Sequence, residues 1–115
     1  MILNVHDNKV KKILDDPKKI IKKIGSDRTK MLKKRFNQLR ATNNFKEYLD
    51  IGIGKPHPLT CNLNNLYGIH LDANYRLVVQ PITESFDDDS LRKCKTIDIK
   101  GVLEYHDGKC EWLIP

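Results

Sequence analysis

"YGIHLDANYRLVV", residues Tyr67 to Val79, decides the fold. Tyr67, Ile69 and Leu71 alternate with Gly68 and His70, and after Asp72-Ala73-Asn74 the alternation resumes with Tyr75, Leu77 and Val79 against Arg76 and Val78. A period of two sends successive side chains to opposite faces of a strand, so the two runs and the turn residues between them make an antiparallel hairpin. The stretch "TIDIKGVLEYH", residues 96–106, keeps the same period. Strict alternation places Ile97, Ile99, Gly101, Leu103 and Tyr105 on one face, towards a core, and Asp98, Lys100, Val102, Glu104 and His106 on the other. Asp107-Gly108 is a two-residue turn sequence that accepts positive φ, so "KCEWLIP" returns as a last strand. That turn pairs His106 with Lys109, Tyr105 with Cys110 and Glu104 with Glu111. Facing carboxylates disfavour double ionisation, so one of Glu104 and Glu111 should hold its proton more tightly, while Lys109 should favour a neutral His106.

Upstream of Tyr67 the period is helical. "MILNV" is short and β-prone, and "DNKVKKIL" has helical composition with Asp7 as its N-cap. Asp16 before Pro17 starts a second helical stretch, striped by Ile20, Ile21 and Ile24 and ended by Gly25. Ser26 caps the next, in which Met31, Leu32, Phe36 and Leu39 recur at helical spacing among Arg28, Lys30, Lys33, Lys34, Arg35 and Arg40. Phe45, Tyr48 and Leu49 fit one further turn before "GIGKPHP" breaks the regularity. "ESFDDDSLRKCK" reads as a surface excursion or a short helix capped by Asp89 or Ser90. The expected architecture is α+β: an N-terminal strand and a basic helical hairpin on one face of a mainly antiparallel sheet, as one domain over residues 1–115.

Composition narrows the function classes. The chain has 115 residues and a net charge of +6, but residues 1–47 carry 14 Lys or Arg against 5 Asp or Glu, and the remainder carries 7 against 10. Basic charge concentrated in the helical part suits a polyanion such as nucleic acid or the ribosome, because each Lys or Arg at a phosphate releases condensed counterions. No apolar run approaches the roughly 20 residues that cross a bilayer, and the polar N-terminal stretch lacks a secretion h-region, so a cytoplasmic protein without membrane association is expected. Cys61, Cys94 and Cys110 are odd in number with no CxxC pair, which reads as three small buried or half-buried thiols rather than a disulfide framework or a zinc site.

Four pieces carry potential chemistry. His57 lies between two prolines in "KPHPL"; Arg76 opens "YRLVV" out of phase with Tyr75 and Leu77; Glu104 and His106 share a strand face; and Tyr105 lies between them. Metal-free RNA cleavage needs this inventory: a base for the ribose 2′-OH proton, an acid for the departing 5′ oxygen and a cation against the charge growing on the phosphate. Imidazole suits either proton role, and guanidinium grips phosphate without deprotonating. His6 and His70 read as ordinary surface or sheet residues. A non-catalytic RNA- or ribosome-binding domain uses the same charge and keeps "EYHDG", residues 104–108, as a structural turn.

In order, His57-Pro58-Leu59, Tyr75-Arg76-Leu77 and Glu104-Tyr105-His106 resemble the HigB branch of the RelE-type bacterial toxins. The layout of residues 1–108, a short strand and paired helices ahead of the sheet, is similar as well. The resemblance implies a RelE-like fold and a bacterial, cytoplasmic, ribosome-dependent endoribonuclease that cleaves translated mRNA. It implies a HigA-like antitoxin partner, in a heterotetrameric toxin–antitoxin complex, and no cofactor or metal. His57, Arg76, Glu104, Tyr105 and His106 become the catalytic candidates, with base and acid labels interchangeable. Thr60 to Asn64 carry no charge after His-Pro-Leu, so substrate grip is assigned to Lys55, to Lys33, Lys34 and Arg35 of the basic helices, and to Lys109.

Overall fold

A computed structural model describes residues 1–60 and 65–115. Cys61 and the uncharged stretch that follows it, Asn62 to Asn64, lie outside the described residues. The chain begins with strand β1 (Ile2–Asn4) and continues through helices α1 (Asn8–Leu14), α2 (Pro17–Ile24), α3 (Ser26–Ala41) and α4 (Phe45–Ile51). The remainder is β2 (His57–Pro58), β3 (Tyr67–His70), β4 (Tyr75–Pro81), α5 (Asp88–Lys93), β5 (Thr96–His106) and β6 (Lys109–Ile114).

The helix starts follow local chemistry. Asp7 caps α1 by accepting from the Lys9 and Val10 amides, and Asp16 caps α2 by accepting from Lys18, with Pro17 at the first position, where no amide donor is needed. Two expected caps shift by a residue or more. Ser26 lies inside α3, whose entry is made by the Gly25 backbone without a side-chain cap, and Asp87 rather than Asp89 or Ser90 caps α5. The helices close over one face of the sheet. Ile20, Ile24, Leu32, Leu39, Phe45 and Tyr48 are buried against Tyr67, Ile69, Leu77, Val79, Ile97 and Ile99, while Ile21 stays exposed. Tyr48 is fully buried and donates from its hydroxyl to the Ile53 carbonyl at 2.7 Å, and burial pushes its pKa up to about 12.

The sheet runs β1-β5-β4-β3-β2 and is antiparallel apart from the β1–β5 pair. One edge of β5 pairs with β4; the other is shared end to end, with β1 against Thr96–Asp98 and β6 against Val102–His106. The Asp107-Gly108 turn has both residues at positive φ, 48° and 73°, and the pairings His106–Lys109, Tyr105–Cys110 and Glu104–Glu111 form as the turn sequence requires.

Strict alternation fails at one place in β5. Val79 pairs with Ile99 but Val78 pairs with Gly101, so Lys100 is an extra residue, a β-bulge. Gly101 adopts φ +143°, and a Cβ there would lie 1.8 Å from the Ile114 carbonyl oxygen of β6, so the position takes only glycine. Beyond the bulge the phase reverses. Val102 joins the core under the helices with Ile97 and Ile99, whereas Leu103 and Tyr105 turn to the opposite face, where Leu59, Val78 and Leu103 form a second small cluster. The expected placement of Leu103 and Tyr105 towards the helices is therefore corrected, because one inserted residue inverts every side chain after it.

The cysteine reading is also corrected. Cys94 is a buried free thiol, but Cys110 is disulfide-bonded, which count and spacing in the sequence do not reveal because they carry no information on proximity in space. Among the described residues no helix is long and apolar enough to cross a membrane.

Candidate active site

The sheet divides the five catalytic candidates. His57, Arg76 and Tyr105 come together on the face that the helices leave uncovered, and Glu104 and His106 lie on the other side of β5, towards the helices.

On the uncovered face, β2 pairs with β3 so that His57 lies opposite Gly68, and β3 pairs with β4 so that His70 lies opposite Arg76. Gly68 allows this close layering: Leu59 folds back so far that a Cβ at residue 68 would meet its Cδ2 at 2.7 Å. The rings of His57 and His70 meet edge to face with centroids 5.8 Å apart. The Arg76 guanidinium sits over the Tyr105 ring at 5.2 Å. His57, His70, Arg76 and Tyr105 are all half-buried, open enough for a ligand and covered enough to strengthen electrostatics.

Each group has a defined orientation. His57 Nδ1 lies 2.9 Å from the Lys55 carbonyl oxygen, which fixes that nitrogen as the hydrogen-bond donor and leaves Nε2 free to exchange a proton. Arg76 donates from Nη1 to the carbonyls of Asp72, Ala73 and Tyr75. Its Nε is buried without an acceptor, and its Nη2 makes no hydrogen bond among the described residues. With Nη1 anchored to the backbone and Nε buried, Nη2 is the nitrogen left to meet a phosphate oxygen. Burial first, then Arg76, His57, Lys55 and Arg35, hold the His70 imidazole below its ordinary value and favour its neutral form. Burial pushes the Tyr105 phenol up, so it stays protonated at neutral pH.

His70 is the member that sequence reading passed over. The signal was present: once Asp72-Ala73-Asn74 is taken as the turn, hairpin register puts His70 across from Arg76 and in phase with it.

Glu104 pairs with Tyr75, whose ring carries the Arg28 guanidinium of α3 at 3.6 Å, and Arg28 also bonds Asp72 at 2.6 Å. His106 Nε2 lies 3.1 Å from Glu111 Oε2. That hydrogen bond, helped by the charges of Glu104, Glu111 and Asp107, raises the His106 pKa and favours imidazolium. The expectation that Lys109 keeps His106 neutral is thus corrected, because the carboxylates on its own face outweigh the lysine across the strand pair.

The substrate-binding candidates spread over the molecule. Lys55 is exposed beside His57. Arg35 bridges from α3 to the site's edge, donating from Nε to the His70 carbonyl at 2.9 Å and from Nη1 to Gln38. Lys33 and Lys34 are exposed on α3, with Lys33 bordering a groove between α1, α2 and α3. Lys109 is exposed at the hairpin tip.

Compared with protein-family models, with curated proteins and with solved structures, the chain matches none.

Proposed function

We propose that this chain is a HigB-like, RelE-type toxin: a ribosome-dependent endoribonuclease that cuts translated mRNA by metal-independent attack of the ribose 2′-OH, in the bacterial cytoplasm. The observation that carries the reading is the convergence of two imidazoles, a guanidinium held by its Nη1 and a phenol on one open sheet face. An RNA-binding module does not require that set. Burial and the nearby Arg76 favour the neutral form of His70. Neutral His70 accepts the 2′-OH proton as the 2′ oxygen bonds to phosphorus. His57 in its protonated form gives the Nε2 proton to the departing 5′ oxygen, leaving a 2′,3′-cyclic phosphate and a free 5′-hydroxyl. Arg76 neutralises the charge that grows on the phosphate, and the Tyr105 hydroxyl adds a neutral donor beside it. Lys55 and the basic helices supply the sequence-independent grip on RNA and ribosome. A HigA-like antitoxin that caps this face silences it, in a heterotetrameric complex.

Primer extension on mRNA from cells expressing the wild type, Arg76→Ala and His70→Ala tests the proposal. The wild type should cut translated messages and arrest growth, and both variants should lose about 100-fold or more of the cutting while keeping the wild-type circular dichroism. Absence of cuts with the wild type, or full cutting by both variants, overturns it.

A further inference from the structure

The β5–β6 hairpin gathers a second group of side chains on the face opposite Tyr105. Glu104 and Glu111 are direct cross-strand partners, and His106 follows Glu104 by two residues on the same side. One ligand atom from each of the three lies within 4.8 Å of the others, and His106 Nε2 already stands 3.1 Å from Glu111 Oε2. We propose that Glu104, His106 and Glu111 form a binding site for a first-row divalent cation, with Zn2+ as its probe.

The physical case rests on donor type, backbone constraint and charge. Tetrahedral zinc with bonds of about 2.0–2.1 Å separates neighbouring ligand atoms by about 3.3 Å. The His106–Glu111 pair, at 3.1 Å, is close to that spacing, and the Glu104 carboxylate lies within 4.8 Å of both ligand atoms. Two of the three ligands are held by ladder register, and the turn beside them has both residues locked at positive φ, so binding does not have to order a loop. Two carboxylates facing each other across a strand pair repel. The neighbouring charges do not cancel this: Arg28 lies close enough to act on Glu104 but makes its ion pair with Asp72, Asp107 adds negative charge at the turn, and Lys109 stands across from His106. Among the described residues neither Glu104 nor Glu111 forms an ion pair with a Lys or Arg. A divalent cation converts that repulsion into coordination, displacing the imidazole proton on Nε2. One imidazole with two carboxylates is a borderline nitrogen–oxygen set, which favours Zn2+ over Mg2+ and leaves a coordination position open to water. The site lies across β5 from His57 and Arg76, so it would brace the hairpin that presents Tyr105 rather than enter the RNA chemistry.

Isothermal titration calorimetry of the full chain with ZnCl2 and with MgCl2 tests this, beside nitrogen-edited NMR of the imidazoles. The variants are Glu104→Gln/Glu111→Gln and His57→Ala/His70→Ala, with circular dichroism checking their folds. Expected are saturable binding of one Zn2+ per chain, broadening or shift at the His106 ring in the wild type, and at least about tenfold weaker binding in the glutamine variant. The alanine variant should bind Zn2+ as the wild type does, and Mg2+ should bind at least about tenfold more weakly than Zn2+. No saturable Zn2+ binding, unchanged affinity in the glutamine variant, a response confined to His57 and His70, or equal affinity for Mg2+ overturns the proposal. The wild-type NMR response decides the matter should either variant misfold.

Discussion

Replacing Gly101 by alanine tests the bulge on which the site depends. The residue sits at φ +143°, a region that costs a side-chain-bearing residue about 1–3 kcal/mol. The new Cβ would also meet the Ile114 carbonyl oxygen at 1.8 Å, against the 3.0 Å below which real Cβ contacts essentially never fall. Retreat of that backbone by about 1 Å breaks the Val102–Ile114 end of the β5–β6 ladder and begins to expose Ile114, whose burial is complete and worth about 1.5–3 kcal/mol. Together these give a loss of about 3–5 kcal/mol, a large fraction of the 5–15 kcal/mol typical of a domain. Gly25→Ala is the control: its φ of +86° carries a similar handedness penalty, but nothing lies within 4 Å of the added methyl, so a loss of about 1–2 kcal/mol is expected. Urea unfolding followed by circular dichroism measures both. A Gly101→Ala loss within 1 kcal/mol of the Gly25→Ala loss would refute the claim that the bulge leaves no room for a side chain.

Two titrations follow from the opposed environments of His70 and His106, and histidine Hε1 shifts measured against pH read both. His70 should titrate below its ordinary 6.5, and Arg76→Ala should move it upward; a wild-type value at or above 6.5, or no response to the variant, removes the basis for its proposed role as base. With the folded value depressed, its contribution to stability is full above pH 6.5 and declines as pH falls through the window down to the folded value. His106 should titrate above 6.5, and Glu111→Gln should bring it down; an unchanged His106 in that variant means the 3.1 Å hydrogen bond does not persist in solution. Its sign is opposite: the stabilisation is full below 6.5 and is lost as pH rises through the raised folded value.

Much of the fold was legible in the chain because its signals are local. Asp7, Asp16 and Pro17 satisfy or avoid amide donors within their own turn, and the Asp107-Gly108 turn sets the β5–β6 register from His106–Lys109 to Leu103–Trp112, beyond which it shifts at Val102–Ile114. The same locality makes the His70–Arg76 pairing legible from the Asp72-Ala73-Asn74 turn.

By itself, then, the sequence determined the main helices and the β3–β4 and β5–β6 hairpins, though not the short strand β2 at His57–Pro58, together with where the basic charge lies and which residues face each other beside each short turn. These depend on dihedral preference, capping and period, which act over a few residues. Only the tertiary structure decided which face the last part of β5 presents. Lys100 is an extra residue only relative to Val78 and Val79 of β4, and Gly101 is required only because β6 passes against it, so neither exists as a feature until distant strands pair. That one inserted residue moved Tyr105 beside Arg76 and left Glu104 and His106 across the sheet, separating the candidate RNA site from the cluster at the hairpin tip.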